Sequence, residues 1–370
     1  MLLDKLLKVM IEKDASDLFI SAALPPSAKV NGELRHLSEQ KLSEEGALDL
    51  VKEALGEKHL DEYLTTHEAN FAIFRKGIGR FRVSAFWQRQ RAGMVVRRIV
   101  TEIPTVEELK LPEVLTKLIM AKRGLMLVVG GTGTGKSTSL AALIGHRNQT
   151  SRGHILTIED PVEFVHEHGH SMITQREVGT DTESFEAALK SSLRQAPDVI
   201  LVGEIRSQEV MEYALTFAET GHLCVATLHA NNANQAIERI MHMVPKEKVG
   251  KLMFDLSLNL RGIVAQQLVP TNDGGRIGAF EVLLNSPIVA EKIAKNDMGE
   301  IKEIMAKSRE LGMQTFDQAL FDLYKARKIS FEEALRHSDA PNDLRLKIKL
   351  SGESTPGDEG GLKGVTVDLD

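Results

Sequence analysis

Eight consecutive residues, Gly130-Gly131-Thr132-Gly133-Thr134-Gly135-Lys136-Ser137, fit the pattern G-x-x-x-x-G-K-[ST] without a mismatch. Glycines let backbone N–H groups converge on an anion with no Cβ in the way, and the lysine adds a point charge. That chemistry is phosphate binding. Gly130 to Gly135 would cradle the phosphates of ATP, Lys136 would reach the β- and γ-phosphates, and the Ser137 hydroxyl would ligate Mg²⁺, with Thr138 beside it. A Gly-rich turn with no ligand is the other reading, and the context disfavours it. An apolar run over 125–129 reads as the strand that delivers the loop, and Ser137-Thr138-Ser139-Leu140-Ala141-Ala142-Leu143 reads as a helix whose N-terminus carries partial positive charge.

Hydrolysis also requires an oriented water and balanced charge, so carboxylates at neighbouring strand ends matter. The run Asp198-Val199-Ile200-Leu201-Val202-Gly203-Glu204 would bring Glu204 to the sheet edge beside the phosphate loop, as general base or water-orienting group. A second run, 155–158, ends in Glu159-Asp160-Pro161-Val162-Glu163. Either cluster alone could be loop acids or a helix cap; two of them after strands in one phosphate-loop domain point to chemistry. His222 and His229 bracket a third apolar strand. At ~3.3 Å per residue they lie ~20 Å apart, too far to ligate one metal. His229 could sense a γ-phosphate or polarise water, and a structural role is the alternative.

Positioning these groups requires a sheet. Runs at 125–129, 155–158, 199–202 and 223–228 are apolar throughout, which predicts strands covered on both faces in a largely parallel sheet. After about residue 284 the pattern turns helical, with candidates at 288–294, 298–311 and 315–326. The first hundred residues predict a smaller α/β unit. Leu3, Leu6, Leu7, Met10 and Ile11 repeat at helical spacing; Asp17-Leu18-Phe19-Ile20-Ser21 reads as a strand stopped by Pro25-Pro26; Val30-Asn31-Gly32-Glu33-Leu34 signals a hairpin. A helix over 43–55 precedes strands at 71–74 and 80–86, joined through Lys76-Gly77-Ile78-Gly79. Pro104 and Pro112 around Thr105-Val106-Glu107-Glu108-Leu109 suit a connection with one short capped helix. The expected domains are therefore residues 1–99, a linker at 100–112, residues 113–345, and an acidic tail at 346–370.

Composition limits the classes. With 370 residues, 42% apolar and 26% charged, the chain can build two cores and is not disordered as a whole. No apolar run is long enough to span a bilayer, and the N-terminus lacks the pattern of a signal peptide. A cytoplasmic protein is the expectation. The single Cys224 excludes an intrachain disulfide and any multi-cysteine zinc site. The net charge is −6, of which the last twenty residues contribute −4 from five acids and one lysine, a composition expected to be disordered. Nothing in this balance attracts nucleic acid, and there is no basic stripe interleaved with aromatics. The segment 2–11 is apolar enough for an interfacial helix, but Lys5 and Lys8 are its only basic residues, so core packing is expected.

Together the blocks Gly130 to Ser137, Ile158 to Glu163, Asp198 to Arg206 and Thr220 to His229 resemble the Walker A, Asp box, Walker B and His box of the type II/type IV secretion and pilus ATPases. The start of the chain, Asp17 to Ser21 with Pro25-Pro26, is similar to the PAS-like domain of the PilT/PilU type IV pilus retraction ATPases. The resemblance implies an α/β chain with a RecA-like P-loop NTPase domain preceded by a small PAS-like domain. It also implies a homohexamer that packs the N-terminal domain of one subunit on its neighbour's ATPase domain, with ATP between the two domains. In that family pattern Glu204 is the Walker B glutamate, Glu159, Asp160 and Glu163 form the Asp box, and His222 and His229 the His box. Family arginines from the N-terminal domain reach the nucleotide. Here Arg80 and Arg82 share a strand face by alternation and Arg97-Arg98 follows, a pattern that a solvated strand face also gives.

Two departures refine the resemblance. The retraction motors carry a block reading roughly A-I-R-N-L-I-R-E, whereas the matching stretch here is Gly299-Glu300-Ile301-Lys302-Glu303-Ile304-Met305-Ala306, apolar at helical spacing but without its arginines. The zinc element of the extension ATPases needs four cysteines. The resemblance therefore implies the PilU branch: an accessory motor at the cytoplasmic face of the inner membrane, promoting retraction and twitching motility with a PilT retraction ATPase and an integral, PilC-like platform protein. An ATP-binding regulatory module with little motor activity of its own is the second hypothesis, and a RecA-type nucleic-acid translocase a distant third.

Overall fold

A computed structural model describes residues 2–30, 32–99 and 102–351. They separate into two compact units. The first is Met1–Glu102 with Asp160–Val165 and Arg176–Ser184, and the second is Ile103–Glu159 with His166–Gln175 and Phe185–Asp370.

In the first unit the elements run α1 (Leu2–Glu12), β1 (Asp17–Ser21), β2 (Ser27–Val30), β3 (Glu33–His36), α2 (Glu44–Thr66), β4 (Glu68–Arg75), β5 (Gly79–Gln88) and β6 (Arg91–Ile99). The sheet order is β3-β2-β1-β6-β5-β4, with every neighbouring pair antiparallel. Leu3, Leu7 and Met10 occupy one stripe of α1 and are buried in a core with Leu18, Leu50, Tyr63, Phe81 and Met94. The expected packing of the first helix into a core is what forms. Two differences stand out. Helix α2 does not end near Leu55: Gly56 leaves helical geometry (φ 60°, ψ −171°), yet the helix resumes because Tyr63 is needed in the core, where its hydroxyl donates to Phe86 O at 3.1 Å. Strand β6, unmarked in the sequence, runs through the middle of the sheet. In the β2–β3 hairpin, Asn31 lies outside the described residues.

The second unit continues with α3 (Glu113–Ile119), β7 (Gly124–Val129), α4 (Lys136–Thr150), β8 (His154–Glu159), β9 (Met172–Glu177), α5 (Phe185–Ser192), β10 (Val199–Val202), α6 (Gln208–Glu219), β11 (Leu223–Leu228), α7 (Ala233–Met241) and α8 (Lys246–Asn259). It is completed by β12 (Leu260–Pro270), β13 (Arg276–Leu284), α9 (Pro287–Ala294), α10 (Ile301–Lys307), α11 (Phe316–Lys325), α12 (Phe331–Arg336) and α13 (Pro341–Leu350). The sheet order is β13-β12-β7-β11-β10-β8-β9. Strands β12, β7, β11, β10 and β8 are mutually parallel, and β7, β10 and β11 are buried at every residue, as their unbroken apolar runs predict.

Three expectations are corrected. The capping box at Thr105 forms, with Thr105 N–H donating to Glu108 Oε2 at 2.8 Å and Glu108 N–H to Thr105 Oγ1 at 3.2 Å, but no helix follows, because Lys110 turns to a φ of 52°. The single helix expected over 298–311 is α10 and a separate 3₁₀ turn, Arg309–Leu311, broken at Ser308. Helix α13 extends to Leu350 with Leu344 and Ile348 buried, so 346–350 is folded; the rest of the expected tail, 352–370, lies outside the described residues.

Candidate active site

Strand β7 lies between β12 and β11 and releases the chain at Gly130. The loop that follows is built for close backbone approach. A Cβ on Gly130 would sit 2.6 Å from both Gln266 O and Thr134 Oγ1, and one on Gly135 would sit 2.9 Å from Gln266 Nε2. Gly133 and Gly135 take φ values of 78° and 86°, which side chains resist. Thr134 Oγ1 braces the loop by donating to Gly131 O at 3.0 Å. Lys136 Nζ folds over it, donating to Gly130 O at 2.8 Å and Gly131 O at 2.7 Å. No side chain caps α4, whose N-cap is Gly135, so its first N–H groups converge with Lys136 on one face. Cradle, uncapped helix and lysine fit a phosphate chain, and Ser137 stands exposed in the first turn, a suitable oxygen ligand for Mg²⁺.

Two strands away, β10 runs out at Val202 and is followed by Gly203. A Cβ there would meet Ile158 O at 3.1 Å and Glu159 Cα at 3.2 Å, tighter than side chains usually make, so glycine eases the close approach to β8. Gly203 N–H donates to Ile158 O at 2.7 Å, Ile205 N–H to Thr227 O at 2.9 Å, and the Thr227 hydroxyl to Gly203 O. These bonds pin the turn that carries Glu204. The Glu204 side chain is 18% exposed, pairs with Arg206, and has His229 Nε2 3.4 Å from its second oxygen. Desolvation pushes its carboxyl up, but the Arg206 hydrogen bond and the charges of Arg206, His229 and Lys136 outweigh it and hold the group below the usual carboxylate range. The charge of Lys136 is among those acting on Glu204, which groups the loop and the carboxylate as one candidate site.

The other residues singled out in the sequence divide. Glu159 ends β8 and is held by Thr157 Oγ1 at 2.7 Å and Gln175 Nε2 at 3.3 Å. Asp160 and Glu163 fall in the segment that groups with the first unit, where Glu163 is exposed. The two histidines separate: His229 joins Glu204, whereas His222 sits at the opposite end of β11 with Nδ1 3.1 Å from both Phe217 O and Thr220 Oγ1. Asp198 accepts from His154 N–H at 2.8 Å, which fixes the start of β10. In the first unit the alternation of Arg80 and Arg82 holds, but Arg80 is engaged by Glu177. Arg82 lies directly opposite Arg97 across β5 and β6, and Arg97 Nε binds Asp17 Oδ1 at 2.7 Å. The Arg82 side chain makes no ion pair or hydrogen bond among the described residues. The sequence assigns no role to Glu177, Gln266 or Thr227: Glu177 and Gln266 lie in strands outside the motif blocks, and Thr227 sits inside the His box block as an ordinary strand residue. Among the described residues no three His, Cys, Asp or Glu side chains converge on a metal position, and no helix is long and apolar enough to cross a membrane.

The family model for type II/IV secretion system proteins matches residues 1–336. The chain is 59% identical over 352 residues to the type IV pilus ATPase PilU of Pseudomonas aeruginosa, covering 95% of this chain and 92% of that one. To the type IV pilus retraction ATPase PilT of the same organism it is 38% identical over 340 residues, 92% of this chain and 99% of the other. A crystal structure of the pilus retraction motor PilT with bound ADP superposes with a TM-score of 0.88 at 38% identity, covering 93% of this chain and 98% of that one.

Proposed function

The chain belongs to the PilT/PilU family of type IV pilus ATPases, within the type II/IV secretion system proteins, and on that premise we propose that it is an accessory retraction motor that hydrolyses ATP as a hexamer. Its fold is a small N-terminal domain followed by a RecA-like ATPase domain, and its activity is ATP hydrolysis in pilus motility. The observation that carries the hydrolytic reading is the Glu204 carboxylate at the end of β10, two strands from the phosphate loop, paired with Arg206 and with His229 Nε2 3.4 Å away.

In the proposed mechanism the backbone of Gly130 to Gly135 and Lys136 hold the β- and γ-phosphates, as the geometry of the loop supports. Ser137 would hold Mg²⁺ together with phosphate oxygens and water, and the ion would screen the charge of the transferred group. Glu204, with little affinity for a proton, aligns the attacking water and polarises it, leaving the proton to pass on with the inorganic phosphate. His229 stands where it can report the γ-phosphate to Glu204. By the family pattern Glu159, Asp160 and Glu163 would serve as the Asp box, Thr138 would add a hydroxyl beside Ser137, His222 would belong to the His box although it sits at the opposite end of β11 from His229, and Arg82 and Arg97 would be the arginines offered to a nucleotide across the subunit boundary of the ring. Arg82, whose side chain makes no ion pair or hydrogen bond among the described residues, is the preferred candidate of the two.

The accessory role rests on α10. Its buried residues Ile301 and Met305 keep it packed, while its polar positions are Lys302, Glu303 and Lys307, with no arginine. The partners proposed are a PilT retraction ATPase and an integral platform protein of the inner membrane, which would hold this chain at the cytoplasmic face. The test is ATP hydrolysis by the purified chain against Lys136→Ala and Glu204→Ala. Each substitution is expected to lower kcat by at least ~100-fold; a wild type no faster than the variants overturns the enzyme reading. Retraction restored in cells lacking PilT would overturn the accessory role.

A further inference from the structure

One buried carboxylate outside the nucleotide site pairs with no cation among the described residues. Glu281, on β13, is 1% exposed, and the residue opposite it on β12 is Ala265. Its Oε1 accepts the N–H of Ala233, the first residue of α7, at 2.8 Å, and the N–H of Phe316, the first residue of α11, also donates to it. Neither helix needs this for capping. Asn232 caps α7 by accepting from Gln235 N–H, and Thr315 and Gln318 form a complete capping box on α11. An ionised carboxylate in this position costs more desolvation than an apolar residue would, so capping does not explain it.

The place of α7 in the chain suggests what does. It begins four residues after His229, whose Nε2 is 3.4 Å from Glu204. A second bond, from Asn234 Nδ2 to Met298 O at 3.4 Å, ties the same turn of α7 to the segment before α10. Resting on the reading of this chain as an ATPase, we propose that Glu281 is a positioning residue for hydrolysis: its carboxylate draws the first turns of α7 and α11 together and thereby sets His229 against Glu204.

The charges around Glu281 make this testable. Lys302 of α10 is paired with Asp339, in the turn before α13, at 2.9 Å. Burial pushes the Glu281 carboxyl up to about 7; the Ala233 and Phe316 N–H groups and Lys302 pull it down, and Asp339 pushes it up. Asp317 of α11 acts on Lys302, and β12 presents no charge opposite. Protonation places an O–H on one oxygen, so only the ionised form serves both helices fully.

The experiment is steady-state ATP hydrolysis by the full chain between pH 5.5 and 8.5, with KM for ATP. In the wild type kcat is expected to fall below about pH 7. In Glu281→Gln, kcat at pH 8 is expected to drop ~10-fold with KM within about twofold, and the step near pH 7 to disappear. Asp339→Asn removes the neighbouring anion and should move the step to lower pH, and Lys302→Met should move it to higher pH, each by about half a unit. Both leave the Glu281 hydrogen bonds intact, so they decide the matter even where Glu281→Gln fails to fold. A hydrolysing wild type whose acid step is unmoved by both flanking variants overturns this inference alone; a wild type no faster than Lys136→Ala overturns it together with the ATPase reading.

Discussion

At the scale of single residues, the site is a balance of charge around Glu204. Burial favours its protonated form, and Arg206 is first among the groups that oppose burial. Replacing Arg206 with Met should therefore let desolvation prevail and raise the Glu204 carboxyl. Because the carboxylate is the working form, the acid limb set by Glu204, which lies below the Glu281 step, is expected to move to higher pH, measurable in a pH–rate profile of the Glu281→Gln chain with and without the Arg206 substitution. A limb that stays in place would count against Glu204 as the group that orients water. The same scale separates the arginines. Arg80 and Arg82 are equivalent by spacing, yet Arg80 is spent on Glu177, which is nearly fully buried and also accepts Val162 N–H at 3.1 Å. Removing one partner of so buried a pair costs about 3–5 kcal/mol. Glu177→Ala is thus expected to lower stability by that order in denaturant titration, as a residue of structure rather than of chemistry.

Elements follow local rules until tertiary contacts override them. The phosphate loop obeys them fully, since strand, glycines and helix start are contiguous. Gly130→Ala would drive a Cβ into Gln266 O and Thr134 Oγ1, both 2.6 Å away, so the loop must open. Loss of ADP binding by at least ~10-fold is expected in calorimetry, while a variant that binds ADP as the wild type does would show that the cradle tolerates a side chain. Apolar strands such as β7 and β11 were legible because burial on both faces removes alternation. The end of α2 was not, because Gly56 breaks helical geometry but the core still requires Tyr63 beyond it. Strands β6, β12 and β13 escaped notice for a related reason: their exposed and buried residues follow the neighbours they pair with, and those neighbours are distant in sequence.

For the molecule as a whole, the two cores have different characters. The first unit closes its antiparallel sheet with α1 and α2, and the second surrounds a mainly parallel sheet that ends in the phosphate loop and Glu204. If a ring is the working form, hydrolysis per chain should rise with protein concentration across the range in which mass photometry detects assembly. Arg82→Ala is expected to remove most of that rise, ~10-fold in kcat, with assembly unchanged. An equal rise in the variant would assign Arg82 to the solvated face of its sheet. The net charge of −6 has little part in this, because −4 of it lies in the last twenty residues.

The sequence by itself determined the nucleotide chemistry, the parallel-sheet class of the larger unit and the family resemblance, because these depend on contiguous residues whose backbone preferences and burial are set locally. Tertiary structure alone decided which members of each candidate set act together. It brought His229 to Glu204 and left His222 at the far end of β11, paired Arg80 with Glu177 while leaving Arg82 opposite Arg97, and gathered two helix starts on Glu281. Each of those outcomes depends on strand order and cross-strand register, which join residues tens of positions apart, and no short stretch of sequence encodes such a register.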